Sequence, residues 1–467
     1  MRLFAVLCLL AVSAGPAAAT TIIGPVNVTR DDTSQNETPL AVSPTNPDIL
    51  VSGSNDWNYN DGCGVYVSTT GGASWTGALP EGYLPGVTKF TNNPDVPGTG
   101  AFDAGGDPVV AFSPDGTHAY FVCQAFNFSS NAIRLLLNRG TVTPSGITWQ
   151  TSGLTTVSQW NGNGKTRGGN GQFPDHESIH VDPVSGRIYV TWAQFDGLKG
   201  THSPVLVATS TDGGQSFTNP VKVTVGNIRN NQDQRIVTAP NGDAYLTFDN
   251  GVQGGKGTVF YVSKSTDGGA TWSAPVQFAT LVDPVCVFPP NCFNISGGAF
   301  RAGGTYPAPA FDAVHNRLVV AFADIKGLHG QMYVTSASAT DLTSWTTPRA
   351  VAPAPDADQF MGELGIAPNG RYDVSFYDRE WTSNLLVDLT YATSSDGGLT
   401  WSHTRVTPSG FDPSTWGVPS SSALGYRPFI GDYNGIVSTN EFAGMAFTYV
   451  AAPQPFNLEV FFAKATP

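Results

Sequence analysis

Short apolar segments recur along the chain, and each of them ends in a turn. Seven segments share this pattern, at residues 41–44, 111–114, 180–183, 237–240, 310–313, 365–368 and 435–438. Between successive segments lie further short apolar stretches; in the third unit these are residues 187–192, 204–208 and 220–225. Amphipathic helical runs are scarce. Units of four antiparallel strands, repeated in series, are typical of the blades of a β-propeller. The pattern therefore predicts an all-β, seven-bladed β-propeller, with six blades as the alternative.

A second repeat lies between the third and fourth predicted strands of several units. The pattern S-x-D-x-G-x-x-aromatic occurs at 210–217, 265–272 and 394–401, and imperfectly at 68–75 and 338–345. Serine and aspartate oxygens accept hydrogen bonds from the backbone of a tight turn, while glycine supplies positive φ. This motif is the Asp-box, and we expect its role to be structural.

The two ends of the chain complement each other. The seventh unit stops after its third strand, near residues 460–463, whereas residues 24–29 resemble the fourth strand at 219–224. We therefore expect the N-terminal strand to complete the last blade, which would hide two exposed sheet edges.

The first nineteen residues have the pattern of a secretory signal. Arg2 is followed by an apolar stretch at 3–12 and by small residues at 17–19. Such a segment is removed on export, so the sequence predicts a signal peptide at 1–19 and a single propeller domain at 20–467. The expected location is extracellular or periplasmic.

Composition narrows the class further. The chain has 53 Gly, 34 Pro and only 13% charged residues, which favours many short strands and tight turns. Removal of the signal would leave four cysteines, and in an oxidising compartment we expect the disulfides Cys63–Cys123 and Cys286–Cys292. The net charge of −13, without basic clusters, argues against nucleic acids and anionic membranes as partners. We expect a monomer that uses no cofactor, and no metal-binding loop of known spacing is present.

Carboxylates recur at the positions that precede each first strand and that join the second and third strands, and these positions open on one face of a propeller. The first group comprises Glu37, Asp107, Asp175, His176, Glu177, Asp233, Gln234, Arg235, Tyr306, Asp358, Glu363, Arg427, Asp432 and Tyr433; the second comprises Asp56, Asp196, Asp249, Asp324, Asp378, Arg379 and Glu380. Carboxylates with a few arginines and tyrosines suit polyhydroxylated ligands and acid–base catalysis. The alternative is that they fill a wet central channel and tie the blades together.

Three stretches give the chain a family resemblance: residues 175–177, 376–379 and 429–435. With the Asp-boxes, they resemble the bacterial secreted sialidase-like (BNR-repeat) proteins over essentially the whole mature chain. The resemblance implies a Tyr nucleophile paired with a Glu, for which Tyr433 and Glu363 are the candidates. It also implies an Asp acid/base, for which Asp56 and Asp107 both remain open.

The resemblance further implies three arginines that bind the substrate carboxylate. Candidates are Arg235, Arg379 and Arg427, although the first blade lacks the F/Y-R-I-P motif and carries only Arg30 nearby. We assign Asp175, His176, Glu177, Tyr306 and Asp378 to substrate binding.

Three functions remain at this point. The first is a secreted sialidase-like glycoside hydrolase whose partner is a glycan or glycoconjugate. The second is a non-catalytic propeller that binds carbohydrate or protein, because a fold does not fix a function. The third is a polysaccharide lyase that uses His176 or Tyr306 as its base.

Overall fold

The strands of the protein form seven sheets arranged in a ring, which confirms the predicted seven-bladed β-propeller. The computed structural model describes residues 20–30, 33–57, 61–77, 82–129, 132–160, 172–195, 202–251, 258–282, 294–295, 298–300, 304–325, 327–414, 418–419, 428–450 and 458–467. Within these ranges the only helix is a short 3-10 turn at Glu380–Thr382, and no helix is long and apolar enough to span a bilayer.

Blades 1 to 3 are numbered along the chain and given from the innermost strand outwards. Blade 1 consists of Gln35–Asn36 with Leu40–Val42, then Leu50–Asp56, Gly62–Ser68 and Thr76–Gly77. Blade 2 consists of Ala104–Phe112, His118–Phe126 and Ile133–Thr143, with Gly146–Trp149 and Thr155–Trp160 both paired to the third strand. Blade 3 consists of Phe173–Val181, Ile188–Phe195, Val205–Ser210 and Val221–Lys222.

Blades 4 to 7 follow the same plan. Blade 4 consists of Asn231–Thr238, Ala244–Asn250, Thr258–Ser265 and Val276–Leu281. Blade 5 consists of Ala308–Asp312, Arg317–Ile325, Gly330–Ser338, and Asp341–Trp345 with Arg349–Ala350. Blade 6 consists of Gln359–Ile366, Tyr372–Asp378, Asp388–Ser394 and Ser402–Arg405. Blade 7 consists of Gly435–Ser438, Ala443–Val450, Leu458–Thr466 and Thr21–Asn27. Two two-stranded ladders, Asn294–Ile295 with Gly298–Ala299 and Val418–Pro419 with Pro428–Phe429, lie outside the blades.

The hydrophobic core lies between the blades. Second strands such as Leu50–Asp56 and Tyr372–Asp378 are buried at every position because each sheet packs against its neighbours on both faces. The innermost strands contact one another in sequence around the ring, and that of blade 7 contacts that of blade 1. Side chains near the start of each innermost strand therefore approach one central axis.

The N-terminal strand completes blade 7, as the sequence predicted. Thr21–Asn27 pairs antiparallel with Leu458–Thr466, from Thr21 opposite Thr466 to Asn27 opposite Phe461. Leu458–Thr466 therefore has a paired strand on both sides, and Thr21–Asn27 is the outer strand of blade 7.

A disulfide joins Cys63 of blade 1 to Cys123 of blade 2, in agreement with the predicted pairing. Both cysteines are buried. Cys286 and Cys292, the other predicted pair, lie outside the described residues, as do the proposed signal residues 1–19.

The repeated turn motif has the hydrogen bonds expected of a capped turn. In blade 6 the Ser394 hydroxyl accepts a bond from the Gly398 amide at 3.0 Å, and Asp396 Oδ1 accepts one from the Thr400 amide at 2.9 Å. In the imperfect copy of blade 1, Thr70 Oγ1 replaces the carboxylate and accepts from the Ser74 amide at 2.9 Å. Blade 2, which lacks the motif, has a longer β-hairpin between residues 133 and 149 in its place.

Candidate functional site

An equivalent position of the repeat recurs in or just before the innermost strand of each blade. It lies four residues before the start of each repeated apolar segment and is occupied by Glu37, Asp107, His176, Asp233, Tyr306, Met361 and Gly431. Five of the six non-glycine residues have positive φ, between 50° and 60°. In blades 2, 3, 4 and 6 the strand pairing shifts register at this point. A β-bulge of this kind re-aims side chains and is common next to functional sites.

A cavity of about 170 Å³ lies among the innermost strands. Its polar lining includes His176, Glu177, Asp233, Arg235, Glu363 and Tyr433. All six were assigned from the sequence to one face of the propeller, and the fold brings them together from blades 3, 4, 6 and 7.

His176 connects three blades. Its Nδ1 lies 2.5 Å from Asp233 Oδ1 in blade 4, and its Nε2 lies 3.3 Å from Asp432 Oδ2, just before the innermost strand of blade 7. Blades 3 and 7 are not neighbours in the ring, so the second contact crosses the axis. Burial alone would lower the pKa of His176, but the charges of Asp233 and Asp175 and hydrogen bonds to Asp233 and Asp432 raise it well above its usual value. His176 therefore links blades 3, 4 and 7, and its carboxylate partners favour the protonated form of the imidazole.

Arg235, Glu363 and Tyr306 form a second group, which joins blades 4, 5 and 6. The Arg235 guanidinium binds both carboxylate oxygens of Glu363, with Nη2 2.9 Å from Oε1. The Tyr306 hydroxyl donates to Glu363 Oε1 at 3.0 Å, and the guanidinium carbon of Arg235 lies 4.8 Å from the centre of the Tyr306 ring. Burial and the charge of Glu363 raise the pKa of Tyr306 well above its usual value. The tyrosine hydrogen-bonded to Glu363 is therefore Tyr306, and it is held neutral.

Tyr433 lines the cavity, but its hydroxyl donates to the Pro108 carbonyl oxygen of blade 2 at 2.9 Å. Burial, and after it the charges of Glu37 and Asp107, raise the pKa of Tyr433 well above its usual value. The structure thus brings Tyr433 and Glu363 to one cavity, with the Tyr433 hydroxyl bonded to backbone.

Glu177 differs from the other acidic residues of the cavity. It is 3% exposed, and neither carboxyl oxygen has a hydrogen-bond partner outside its own residue among the described parts of the chain. Burial is the main cause that raises the pKa of Glu177 well above its usual value, and the charge of Asp107 adds to it. Burial therefore favours the protonated form of the Glu177 carboxyl group.

The remaining predicted residues lie elsewhere. Asp175 accepts a hydrogen bond from Gln232 Nε2 at 2.7 Å and lies close enough to Glu177 to raise its pKa. Asp56 is buried against Gln35 and Tyr66, beside a separate cavity of about 460 Å³ that Arg30 also lines.

Asp378 and Arg379 are buried in blade 6 and are not part of the described lining of the central cavity. Arg379 Nη1 donates to Asp358 Oδ2 at 3.1 Å, and Nη2 donates to the carbonyl oxygen of Asn384. Burial raises the pKa of Asp378 to about 7. Arg427 lies outside the described residues.

Gln234 has a contact that the spacing of the sequence did not reveal. Its amide nitrogen donates to the His176 carbonyl oxygen, whereas its Oε1 is buried and has no partner within the described residues. Gln234 and Glu177 occupy equivalent positions of their repeats, directly after the bulge residue. Alignment of the repeats shows this equivalence, whereas the contact of Gln234 with His176 depends on the packing of blades 3 and 4. No group of three or more described His, Cys, Asp or Glu residues is arranged to hold a metal ion.

No protein-family model and no curated protein matches the chain. Among solved structures, the chain is similar to a Hadza microbial sialidase, with 14% identity and a TM-score of 0.48 over 90% of this chain and 75% of that one. It is also similar to an α-L-arabinanase from Penicillium chrysogenum complexed with arabinobiose, with 16% identity and a TM-score of 0.40 over 62% and 92% of the two chains. A PL25 ulvan lyase matches with 13% identity and a TM-score of 0.42 over 72% and 75%. At this level of identity the similarity concerns the propeller fold alone, so the function has to be argued from the site.

Proposed function

We propose that the protein is a glycoside hydrolase that acts at the central cavity, with Glu177 as the proton donor. The observation that carries the proposal is the buried carboxyl group of Glu177, a residue of the cavity lining: it has no described partner beyond its own residue, and burial raises its pKa. A carboxylic acid kept neutral by burial is the group that protonates the leaving oxygen in most glycoside hydrolases.

The reaction would proceed as follows at this site. The glycosidic C–O bond breaks, its electron pair stays on the leaving oxygen, and that oxygen takes the Glu177 proton. The charges of Asp107 and Asp175, which both act on Glu177, would stabilise the positive charge that develops on the sugar. Water then bonds to the anomeric carbon, and its proton returns to the Glu177 carboxylate.

The cationic side chains of the cavity already have carboxylate partners, which favours an uncharged sugar over a sialic acid as the substrate. Arg235 is engaged by Glu363 through both oxygens, and His176 is held by Asp233 and Asp432. A substrate carboxylate requires a guanidinium fork of its own, and Arg379 is already bonded to Asp358 and Asn384. The sialidase-type roles of Tyr433, Glu363 and the three arginines remain predictions from resemblance.

The cross-axis contacts favour a second function, a carbohydrate-binding propeller without catalysis. His176, Arg235, Tyr306 and Tyr433 all make hydrogen bonds that tie blades together, which is also what a purely structural channel requires. The lyase has less support, because a protonated His176 and a neutral Tyr306 that donates to Glu363 are both unsuited to remove a proton.

The test compares Glu177→Gln with the wild-type protein on neutral glycosides and on sialosides. A panel of aryl glycosides first identifies a substrate, and matched alkyl and 2,4-dinitrophenyl glycosides of that sugar are then compared. We expect Glu177→Gln to lower kcat by about 10²–10⁴-fold on the alkyl glycoside and much less on the dinitrophenyl glycoside, because a good leaving group needs no proton.

Glu441→Gln is the matched control, because Glu441 is an exposed carboxylate of blade 7, and this variant should behave as the wild type. Unchanged turnover of the alkyl glycoside by Glu177→Gln would exclude Glu177 as the proton donor. Retention on a glycan array without hydrolysis of any panel member would instead establish the binding function.

A further inference from the structure

Trp381 is an exposed aromatic residue at the end of blade 6 where its innermost strand begins. It lies in the 3-10 turn Glu380–Thr382, just after the second strand of the blade. Gln359, the first residue of the innermost strand, pairs with Asp378, the last residue of the second strand, so the turn and the start of the innermost strand lie at the same end. Trp381 is 37% exposed, and no other tryptophan among the described residues is as exposed.

The Trp381 ring is fixed by contacts with two strands. Its Nε1 donates a hydrogen bond to Thr390 Oγ1 on the third strand at 2.8 Å, and its centre lies 6.1 Å from that of the His403 ring on the outer strand. The Thr382 hydroxyl closes the turn, because it donates to the Leu386 carbonyl oxygen at 3.1 Å and accepts from the Leu386 amide at 3.0 Å. An aromatic side chain that is already fixed loses little conformational entropy when a ligand binds.

The loop that follows the turn is also preformed. Ser383 and Asn384 are consecutive residues other than glycine with positive φ, at 54° and 62°. The Asn384 side-chain oxygen accepts a hydrogen bond from the Asp358 amide at 3.1 Å, and the Asn384 amide donates to the Arg379 carbonyl oxygen at 2.9 Å. Asp358 directly precedes the innermost strand, so the loop that carries Trp381 is tied to the strand that contributes Glu363 to the central cavity.

A polar side chain lies beside the exposed ring. His403 Nε2 lies 3.5 Å from Glu380 Oε2, which orients the imidazole, and the His403 side chain is partly exposed. Its other nitrogen, Nδ1, makes no hydrogen bond to any described residue and can bond to a ligand. Single exposed apolar side chains are common on proteins, but a fixed aromatic ring bordered by a hydrogen-bonding group suits a sugar, whose C–H face packs on the ring while a hydroxyl binds at its edge.

Trp381 lies outside the described lining of the central cavity. Its partner Thr390 belongs to the third strand of the blade, which lies about 10 Å from the innermost strand at a spacing of ~4.8 Å between neighbouring strands. A ligand that reaches both the cavity and the Trp381 ring is therefore an oligosaccharide and not a single sugar.

We propose that Trp381 is the platform of a second carbohydrate subsite, which binds one sugar unit of a glycan chain whose end occupies the central cavity. The sugar ring packs on the indole, and His403 binds one of its hydroxyl groups. As a statement about the substrate, this rests on the proposed hydrolase function and makes oligosaccharides the preferred substrate class. Loss of the subsite lowers the affinity for the chain and leaves single-sugar glycosides unaffected, because they do not reach it.

The test uses the full-length protein and pentasaccharides of β-1,4-xylan, α-1,5-arabinan, β-1,4-glucan, β-1,4-mannan and β-1,4-chitin, each paired with the methyl glycoside of its sugar unit. Isothermal titration calorimetry gives Kd for Glu177→Gln, which lacks the proposed proton donor, and for further variants in that background. We expect at least one pentasaccharide to bind more tightly than its methyl glycoside. Trp381→Ala should weaken binding of that pentasaccharide about tenfold and leave its methyl glycoside unchanged.

Three further variants serve as controls. Trp381→Phe keeps an aromatic ring and should restore most of the affinity. Leu399→Ala changes an exposed apolar residue at the opposite end of blade 6 and should have no effect. His403→Ala, which removes the polar neighbour of the ring, should weaken binding of the same pentasaccharide, and it replaces Trp381→Ala in the test if circular dichroism shows that Trp381→Ala is not folded.

Hydrolysis by the wild type separates the two proposals. Turnover of aryl glycosides, combined with pentasaccharide binding that neither Trp381→Ala nor His403→Ala weakens, overturns the subsite and leaves the hydrolase standing. Pentasaccharide binding that depends on Trp381, without hydrolysis of any glycoside, overturns the hydrolase and supports the subsite. Absence of pentasaccharide binding overturns the subsite, as does an equal loss of affinity for the pentasaccharide and its methyl glycoside.

Discussion

At the residue scale, the site depends on a backbone conformation that residues other than glycine rarely adopt. Glu37, Asp107, His176, Asp233 and Met361 have positive φ at one equivalent position of the repeat. Such a conformation costs on the order of 1–3 kcal/mol for a residue other than glycine, so it persists only where its surroundings impose it. Four of the five positions coincide with a shift in the pairing register of the innermost strand, and two of the residues, His176 and Asp233, line the central cavity.

Glu177 should make the stability of the protein depend on pH in an unusual direction. Its pKa is raised on folding, so the folded state keeps a proton that the unfolded chain releases above its ordinary carboxyl pKa. The stability contributed by this group is complete below the unfolded pKa and is lost as the pH rises towards the folded pKa. We expect Tm of the wild type to fall from pH 5 to pH 8 more steeply than that of Glu177→Gln, measured by differential scanning calorimetry.

The Tm profile of Glu441→Gln between pH 5 and pH 8 is the control for the other groups that titrate in this range. Parallel Tm profiles of the wild type and Glu177→Gln would show that Glu177 is ionised in the folded protein, which would also remove its role as an acid.

The sequence predicted which residues approach the axis but not which ones bond to each other. Glu363 and Arg235 could be placed because each lies two residues after the bulge position of its repeat. Their pairing joins residues 128 positions apart, and the Tyr433–Pro108 bond joins residues 325 apart. Periodicity determines the position of a residue within a blade, whereas the contacts across the axis depend on how seven blades meet.

At the element scale, the turn motif shows how a local pattern determines local structure. Ser394 and Asp396 form their hydrogen bonds within four residues in sequence. Burial alone would raise the pKa of Asp396, but the hydroxyl and amide donors of the turn lower it. Thr70 keeps the same turn in blade 1 with a hydroxyl in place of a carboxylate. Such a turn can be predicted from sequence because all of its partners are neighbours in the chain.

Asp396→Ala should destabilise the protein by about 1–2 kcal/mol, because the Leu399 and Thr400 amides would lose their shared acceptor. Chemical denaturation measures the change, and hydrolysis should be unaffected, since the turn is not among the described residues of the central cavity. Asp356→Ala, at an exposed aspartate, is the control. A loss of turnover in folded Asp396→Ala would show that the turn has a role in function.

At the scale of the whole molecule, two devices hold the ring together. The strand Thr21–Asn27 closes blade 7 through hydrogen bonds, and the Cys63–Cys123 disulfide joins blades 1 and 2 covalently. Contacts that His176 and Arg235 make between blades add a third set of links from inside.

Removal of the disulfide should destabilise the ring substantially. The bond closes a loop of 60 residues, for which the chain-entropy relation gives about 4 kcal/mol. We expect the double variant Cys63→Ala/Cys123→Ala to unfold at a lower denaturant concentration than the wild type. Dithiothreitol should lower the midpoint of the wild type more than that of the variant; equal midpoints for the two oxidised proteins would contradict the estimate.

The sequence by itself determined the repeat, the number of blades, the capped turns and the N-terminal closure. Each of these follows from periodicity or from residues close together in the chain. The tertiary structure alone decided that Tyr306 and not Tyr433 bonds Glu363, that Glu363 binds Arg235, and that burial raises the pKa of Glu177. The physical reason is that burial and cross-axis distances set these pairings and pKa values, and both exist only once seven blades surround one axis.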